Sequence, residues 1–402
     1  MVRRLGTTMT ARVKDPTLMP LPTPPEALRI GPLKEGAFTS RLHSERVAAW
    51  LGLWLGITFS VCMLTGLWSH FVQHPPSWFT VPSHPVWLYR VTQGTHVLTG
   101  IAAIPLLLAK LFTVYPQLFT WPPAKNLRHA VERGSLLLLV GGSVLQLVTG
   151  LMNVFHWYAF GFFFTTVHYW SAWIVFGALT VHVGAKIAVA RRGLSKASLV
   201  DDPEPAGHGL SRRGFLTATG VAGGAVVVAT AGQTVRPLAG VSVLAPRRPD
   251  AGPQGLPVNR TAKSAGTLEV TDYTLSLIGP TSSRTLTLTD LRALPQHTVT
   301  LPITCVEGWS AGAVWTGVRL RDVLALVGAD GHRPVRVDSL EAKGRYRSSI
   351  VTSAHSRDDL TLLAMQLHGQ ELHPDHGYPL RLIAPNRPGV LQTKWVSTVV
   401  VL

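Results

Sequence analysis

Charge is what this 402-residue chain has least of. Only 14% of its residues are Asp, Glu, Lys or Arg, acidic residues number 21 against 37 basic ones, and mean hydropathy is positive at +0.24. A chain so poor in charge and carrying 12 Trp places much of its length in lipid. Cysteine is equally scarce. The two present, Cys62 and Cys305, lie 243 positions apart, and Cys62 falls inside an apolar run, which excludes a disulfide framework and a cysteine zinc site. Cys305 is left as a lone thiol. The formal charge of +16 does not imply nucleic acid either, because the basic residues avoid whole loops.

What is present is a pattern of four apolar spans at about 47–71, 91–114, 134–157 and 167–190, each longer than the roughly 20 residues that cross a bilayer. Eight Lys/Arg precede residue 47, four fall in 110–133 and six in 186–213, whereas 72–89 and 153–167 have none. That alternation follows the positive-inside rule, with both ends of a four-helix bundle on the cytoplasmic side. Residues 1–40, Pro-rich and basic, read as a cytoplasmic tail.

Histidines inside spans are costly and point to function. His168 and His182 lie 14 positions apart on one predicted helix, about 40° apart around its axis and about 21 Å along it, so one face offers imidazoles at two depths. Neutral imidazole is an axial iron ligand. Depth pairs His96 with His168 at the outer level and His43 with His182 at the inner one, with His129 competing for the place of His43. This layout over residues 41–190 resembles the diheme cytochrome b subunits of formate dehydrogenases and nickel-iron hydrogenases. The resemblance implies two b-type haems and electron exchange with quinone or another membrane carrier.

Residues 191–240 hold a cytoplasmic linker, polar over 191–210, that leads into Ser211-Arg212-Arg213-Gly214-Phe215-Leu216 and a Gly/Ala/Val-rich stretch to about Ala231. This resembles a twin-arginine export signal. Ala229-Thr230-Ala231 suits a signal peptidase and equally suits an uncleaved anchor helix.

Beyond residue 240 short alternating segments at 267–279, 298–305, 333–340, 346–353, 378–385 and 394–402, with one amphipathic helix near 320–327, predict an α+β, mostly β, exported domain over 241–402. Its lone thiol sits in Thr304-Cys305-Val306-Glu307-Gly308-Trp309-Ser310. This segment resembles the molybdenum-binding stretch of the sulfite oxidase superfamily, nearest the branch of the bacterial protein-methionine-sulfoxide reductase catalytic subunit. The resemblance covers 255–402 and implies a molybdenum-molybdopterin cofactor with Cys305 as the metal's thiolate ligand. His376-Gly377-Tyr378-Pro379-Leu380-Arg381 and Gln392-Thr393-Lys394 match its cofactor-holding segments, Arg381 and Lys394 serving the phosphate, with Asn259 and Ser339 as further contacts. His376 departs from the Asn of the reductase branch. The expected whole is a multi-pass protein of a bacterial plasma membrane, exchanging an oxygen atom and two electrons with an extracytoplasmic substrate. The alternative is a haem-only electron-transfer or sensory protein whose exported domain is not catalytic.

Overall fold

The computed structural model describes residues 24–34, 36–195 and 209–402; most of the N-terminal tail and residues 196–208 of the linker lie outside them. Among the described residues five helices are long and apolar enough to cross a membrane: α1 (Glu45–Gln73), α2 (Leu88–Val114), α3 (Leu127–Val154), α4 (Phe164–Leu194) and α5 (Arg212–Ala231). Three of them, α1, α3 and α5, start at polar caps. The side chains of Ser44, Asn126 and Ser211 accept from the backbone N–H groups of Val47, His129 and Gly214, satisfying donors that a first turn leaves free. The helices face outward with apolar side chains: Leu64, Leu137 and Trp170 are each more than 60% exposed. Such surfaces are costly in water and ordinary in lipid.

The helix α1 packs on α2 and α4, and α3 on α4 and α2, which leaves α2 and α4 diagonal to one another. His70 of α1 stacks on Tyr169 of α4, while Gly193 near the other end of α4 lies against Glu45 and Ala49, so α1 and α4 are antiparallel. The contacts of Gly66 with His96 and of Gly52 with Lys110 make α1 and α2 antiparallel too. The diagonal pair α2 and α4 therefore runs parallel. Helix α5 stands outside this ring against α2, with Gly223 facing Pro105.

The C-terminal part is mostly β. Strands β1 (Thr274–Ile278), β2 (Ser283–Thr287), β5 (Val335–Ser339), β6 (Ser348–Val351) and β10 (Val396–Val401) form one sheet in the order β2-β1-β10-β5-β6, with β1 and β10 parallel. The second sheet runs β3 (His297–Thr304), β4 (Ser310–Arg319), β7 (Leu362–Leu367), β8 (Gln370–Glu371), and β9 (Arg381–Ile383) also pairs with β7. Val318, Leu320, Val323 and Leu324, at the end of β4 and on a short helix over Leu320–Ala325, are fully buried with Leu275, Val337 and Val399. A second cluster around Trp315, Trp309, Ile303 and Leu362 includes Cys305.

Candidate molybdopterin site

Cys305 stands where β3 ends and the chain turns back into β4. The turn is closed by Cys305 N–H donating to Trp309 O at 2.9 Å and Gly308 N–H donating to Cys305 O at 3.0 Å. Gly308 takes φ +93°, a region L side chains avoid, and a Cβ built there would lie 2.7 Å from Val97 of α2. Gly308→Ala is therefore expected to destabilise the protein by about 1–3 kcal/mol, read as a lower thermal midpoint, through strain and loss of this close approach.

A cavity of about 480 Å³ opens beside the thiol, and Cys305, Asn259, Ser339, His376, Arg381, Gln392 and Lys394 all line it. Each of the residues singled out for the molybdenum cofactor thus reaches one site, although they come from five separate segments. Asn259 Nδ2 donates to Cys305 Sγ at 3.1 Å. Ser339, at the end of β5, donates to Lys394 O at 2.8 Å and accepts from Glu341 N–H at 3.1 Å, so its hydroxyl secures the Lys394 backbone. Lys394 Nζ donates to Asp375 O at 2.6 Å and Arg260 O at 2.9 Å. Arg381 Nη1 donates to His376 O at 3.1 Å, and its guanidinium lies 5.3 Å from the Trp315 ring centre.

The electrostatics favour an anion. Burial presses Lys394 well below the ordinary lysine value, with the Arg381 charge adding to it, and burial presses Arg381 down to about 9. Two cations buried side by side are unfavourable unless an anion joins them. Burial, then the Arg381 charge, push His376 down to about 3, so it is neutral and its Nε2–H is assigned as donor to Pro253 O at 2.7 Å. Asn259 Oδ1, Arg381 Nε, Gln392 Oε1 and Trp309 Nε1 are buried without a protein partner. Buried polar atoms are normally satisfied, and four such atoms around one cavity fit a polar, multidentate cofactor. Burial also pushes the Cys305 thiol far up, with the Glu307 carboxylate adding to it, so thiolate forms there only with a strong positive charge such as a metal ion beside it.

Several of the lining residues were not singled out from the sequence. Glu307, two residues past the thiol and pushed up to about 7 by burial, faces His156 Nε2 at 3.6 Å. His156, Tyr158, Phe162, Phe163, Phe164 and Thr165 all belong to the α3–α4 connection and its junctions, so the helical part supplies one wall of the cavity. Arg345 clamps that wall, its guanidinium 4.0 Å from the Phe163 ring centre. The signal was there: seven of the ten residues 155–164 are aromatic, far more than a plain loop needs. Gln93 Nε2 of α2 donates to Val306 O at 2.6 Å, Ser310 N–H donates to Gln233 O at 2.8 Å and Thr234 Oγ1 donates to Gly308 O, so the Cys305 turn is gripped by α2 and the segment after α5.

In the helical part His96 and His168 come together, with ring centres 6.1 Å apart. His96 Nδ1 lies 3.0 Å from Cys62 O and His168 Nδ1 lies 3.0 Å from Thr149 Oγ1. His43 and His182 are not brought together. His43 Nδ1 lies 3.1 Å from Thr113 O, at the end of α2, in the layer where Glu45 meets Gly193. His182 is 11 residues, or about 16 Å, along α4 from that layer. His129 Nδ1 accepts from Lys125 N–H at 3.2 Å at the exposed start of α3.

Residues 262–402 match the family described as oxidoreductase molybdopterin binding domain. The chain is 33% identical over 156 residues to mitochondrial sulfite oxidase of Drosophila melanogaster, covering 32% of this chain and 27% of that one. It is 31% identical over 164 residues to sulfite oxidase of Arabidopsis thaliana, covering 32% and 42%. It is 35% identical over 117 residues to a putative protein-methionine-sulfoxide reductase subunit of Azospira oryzae, covering 29% and 43%. The chain thus spans less than half the length of each of these relatives. Over residues 262–402 it carries a molybdopterin-binding oxidoreductase domain of the sulfite oxidase family.

Proposed function

We propose that this chain is a membrane-bound, molybdenum-cofactor-dependent oxidoreductase whose soluble part works on the extracytoplasmic face. The observation that carries this reading is the convergence of Cys305, Arg381, Lys394, His376, Gln392, Asn259 and Ser339 on one cavity with unsatisfied buried polar atoms. The molybdenum-molybdopterin group would supply oxygen-atom and two-electron exchange with the substrate, as in sulfoxide reduction or sulfite oxidation. Cys305 would give the metal a thiolate, held in direction by Asn259. Arg381 and Lys394 would hold the phosphate, and neutral His376 with Gln392 would hydrogen-bond the pterin. Arg381→Met removes one half of a buried charge pair. It is expected to cost about 2–5 kcal/mol of cofactor binding, measured as pterin released from the purified, denatured protein.

The helical part would carry single electrons between this site and quinone or another membrane carrier. Two imidazoles bound through Nε2 to one iron, with metal–nitrogen bonds of about 2.0–2.1 Å, have ring centres roughly 6 Å apart, which the 6.1 Å between His96 and His168 matches. Each ring has its Nδ1 engaged by a neighbouring helix, the outer hydrogen bond that orients metal-bound histidines. The retained-anchor reading of α5 is favoured by packing. Thr230 and Ala231 are buried, and Arg90 of α2 donates to Thr234 O at 3.2 Å just beyond them. The test is elemental analysis beside a reduced-minus-oxidised spectrum on purified full-length protein. About one molybdenum per chain together with a b-type haem spectrum is the expected result, and absence of molybdenum overturns the enzymatic reading.

A further inference from the structure

The contacts of His96 are repeated 14 residues further along the helices. His96 has its Nδ1 3.0 Å from Cys62 O of α1 and its Cε1 2.9 Å from where a Cβ on Gly66 would stand. Lys110, 14 residues on, has its Nζ donating to Ala48 O of α1 at 2.7 Å and lies 3.3 Å from where a Cβ on Gly52 would stand. Ala48 and Gly52 are each 14 residues before Cys62 and Gly66. Two different side chains therefore make the same pair of contacts at two depths.

On the other wall the residue spacing repeats. His182 follows His168 by 14 residues on α4, and Ser135 precedes Thr149, the partner of His168 Nδ1, by 14 on α3. In a left-handed helical bundle 14 residues are two heptads, four turns at 3.5 residues each, so a side chain returns to the same seam about 21 Å deeper. As α2 and α4 run parallel on the diagonal, Lys110 and His182 take up at the inner level the places that His96 and His168 hold at the outer one. Lys110 lies close enough to act electrostatically on His182, whose Nδ1 is buried without a hydrogen-bond partner.

We propose that the inner level is a second haem site that His182 and Lys110 would hold, in place of the His43–His182 pair that depth alone suggested. The proposal rests on the haem reading above. With haem bound, the Lys110 ammonium would have released one proton to water, leaving a neutral amine to hold the iron while one N–H still donates to Ala48 O. His182 would offer one imidazole nitrogen. Lysine suits this role because its amine, unlike a guanidinium, can deprotonate in a buried setting.

The experiment uses the full-length protein purified in detergent, with haem counted per chain by pyridine haemochrome and ligation read by low-temperature EPR and near-infrared magnetic circular dichroism. The wild type should hold two haems, both low-spin, with different charge-transfer energies. Lys110→Ala should lose one haem or convert one to high-spin and leave the signal that His168→Ala removes. Lys110→His should restore two low-spin haems with the inner charge-transfer band shifted, which also controls for misfolding of the alanine variant. One haem per wild-type chain, or two unchanged low-spin signals in Lys110→Ala, overturns this assignment while leaving the outer haem standing. A wild type without any Soret band overturns the haem reading and the proposal together.

Discussion

Cys305→Ala is expected to abolish turnover with every oxo-acceptor or oxo-donor while leaving the haem spectrum and the fold intact. The side chain is 4% exposed and small, so its loss opens little space. Asn259 Nδ2 would lose its partner, and the metal would lose its protein thiolate. Outer-sphere changes at metal sites cost about 10–100-fold in activity, and that is the range expected for Asn259→Ala. Removal of the ligand itself should exceed it. The measurement is viologen-linked reduction of methyl phenyl sulfoxide, or sulfite oxidation with ferricyanide, beside molybdenum content. Activity in Cys305→Ala within tenfold of wild type would remove the thiol from the reaction.

The parts of this arrangement that the sequence made legible are those whose physics is local. Four spans were readable because a bilayer demands long apolar runs, and the basic residues between them have no reason to alternate otherwise. β3, β5, β6 and β10 were readable because each has a polar face alternating with an apolar one or lies between clear turn residues. β4 and β7 were not. β7, Leu-Leu-Ala-Met-Gln-Leu, is buried at five of its six positions and lies between β4 and β9, so it has no alternation to read. β4 carries two glycines and two alanines, and is likewise buried from both sides over much of its length.

The site divides the same way. Cys305, Arg381 and Lys394 stood out because their segments resemble a known family. The aromatic wall from residues 155–164 did not, because its significance depends on which surface meets the cavity, a tertiary fact. His43 shows the limit from the other side. Depth paired it with His182, whereas His43 Nδ1 lies beside Thr113 O and Lys110 reaches Ala48 of α1, and nothing in the composition of α2 distinguishes a lysine that reaches α1 from one that points away from it.

His168→Ala should separate the two halves of the reaction. The ring is buried between Thr149 and His96, so removing it deletes one of the two groups proposed to bind the outer iron. Outer-haem absorbance should be lost entirely, and quinol-driven turnover should fall to background. Viologen would deliver electrons to the C-terminal domain directly and bypass the helices, so viologen-driven turnover should remain close to wild type. That split is expected because the hydrogen bonds that hold the Cys305 turn run from Val306, Gly308 and Ser310 to Gln93, Thr234 and Gln233, none of which His168 touches among the described contacts. Gln93 and Val97, which grip this turn, flank His96 on α2, so His96 and the Cys305 turn share one helix as their common support. Equal loss of both activities would mean that His168 holds the domain in place instead of carrying electrons to it. Unchanged quinol-driven turnover would mean that electrons reach the C-terminal domain without His168.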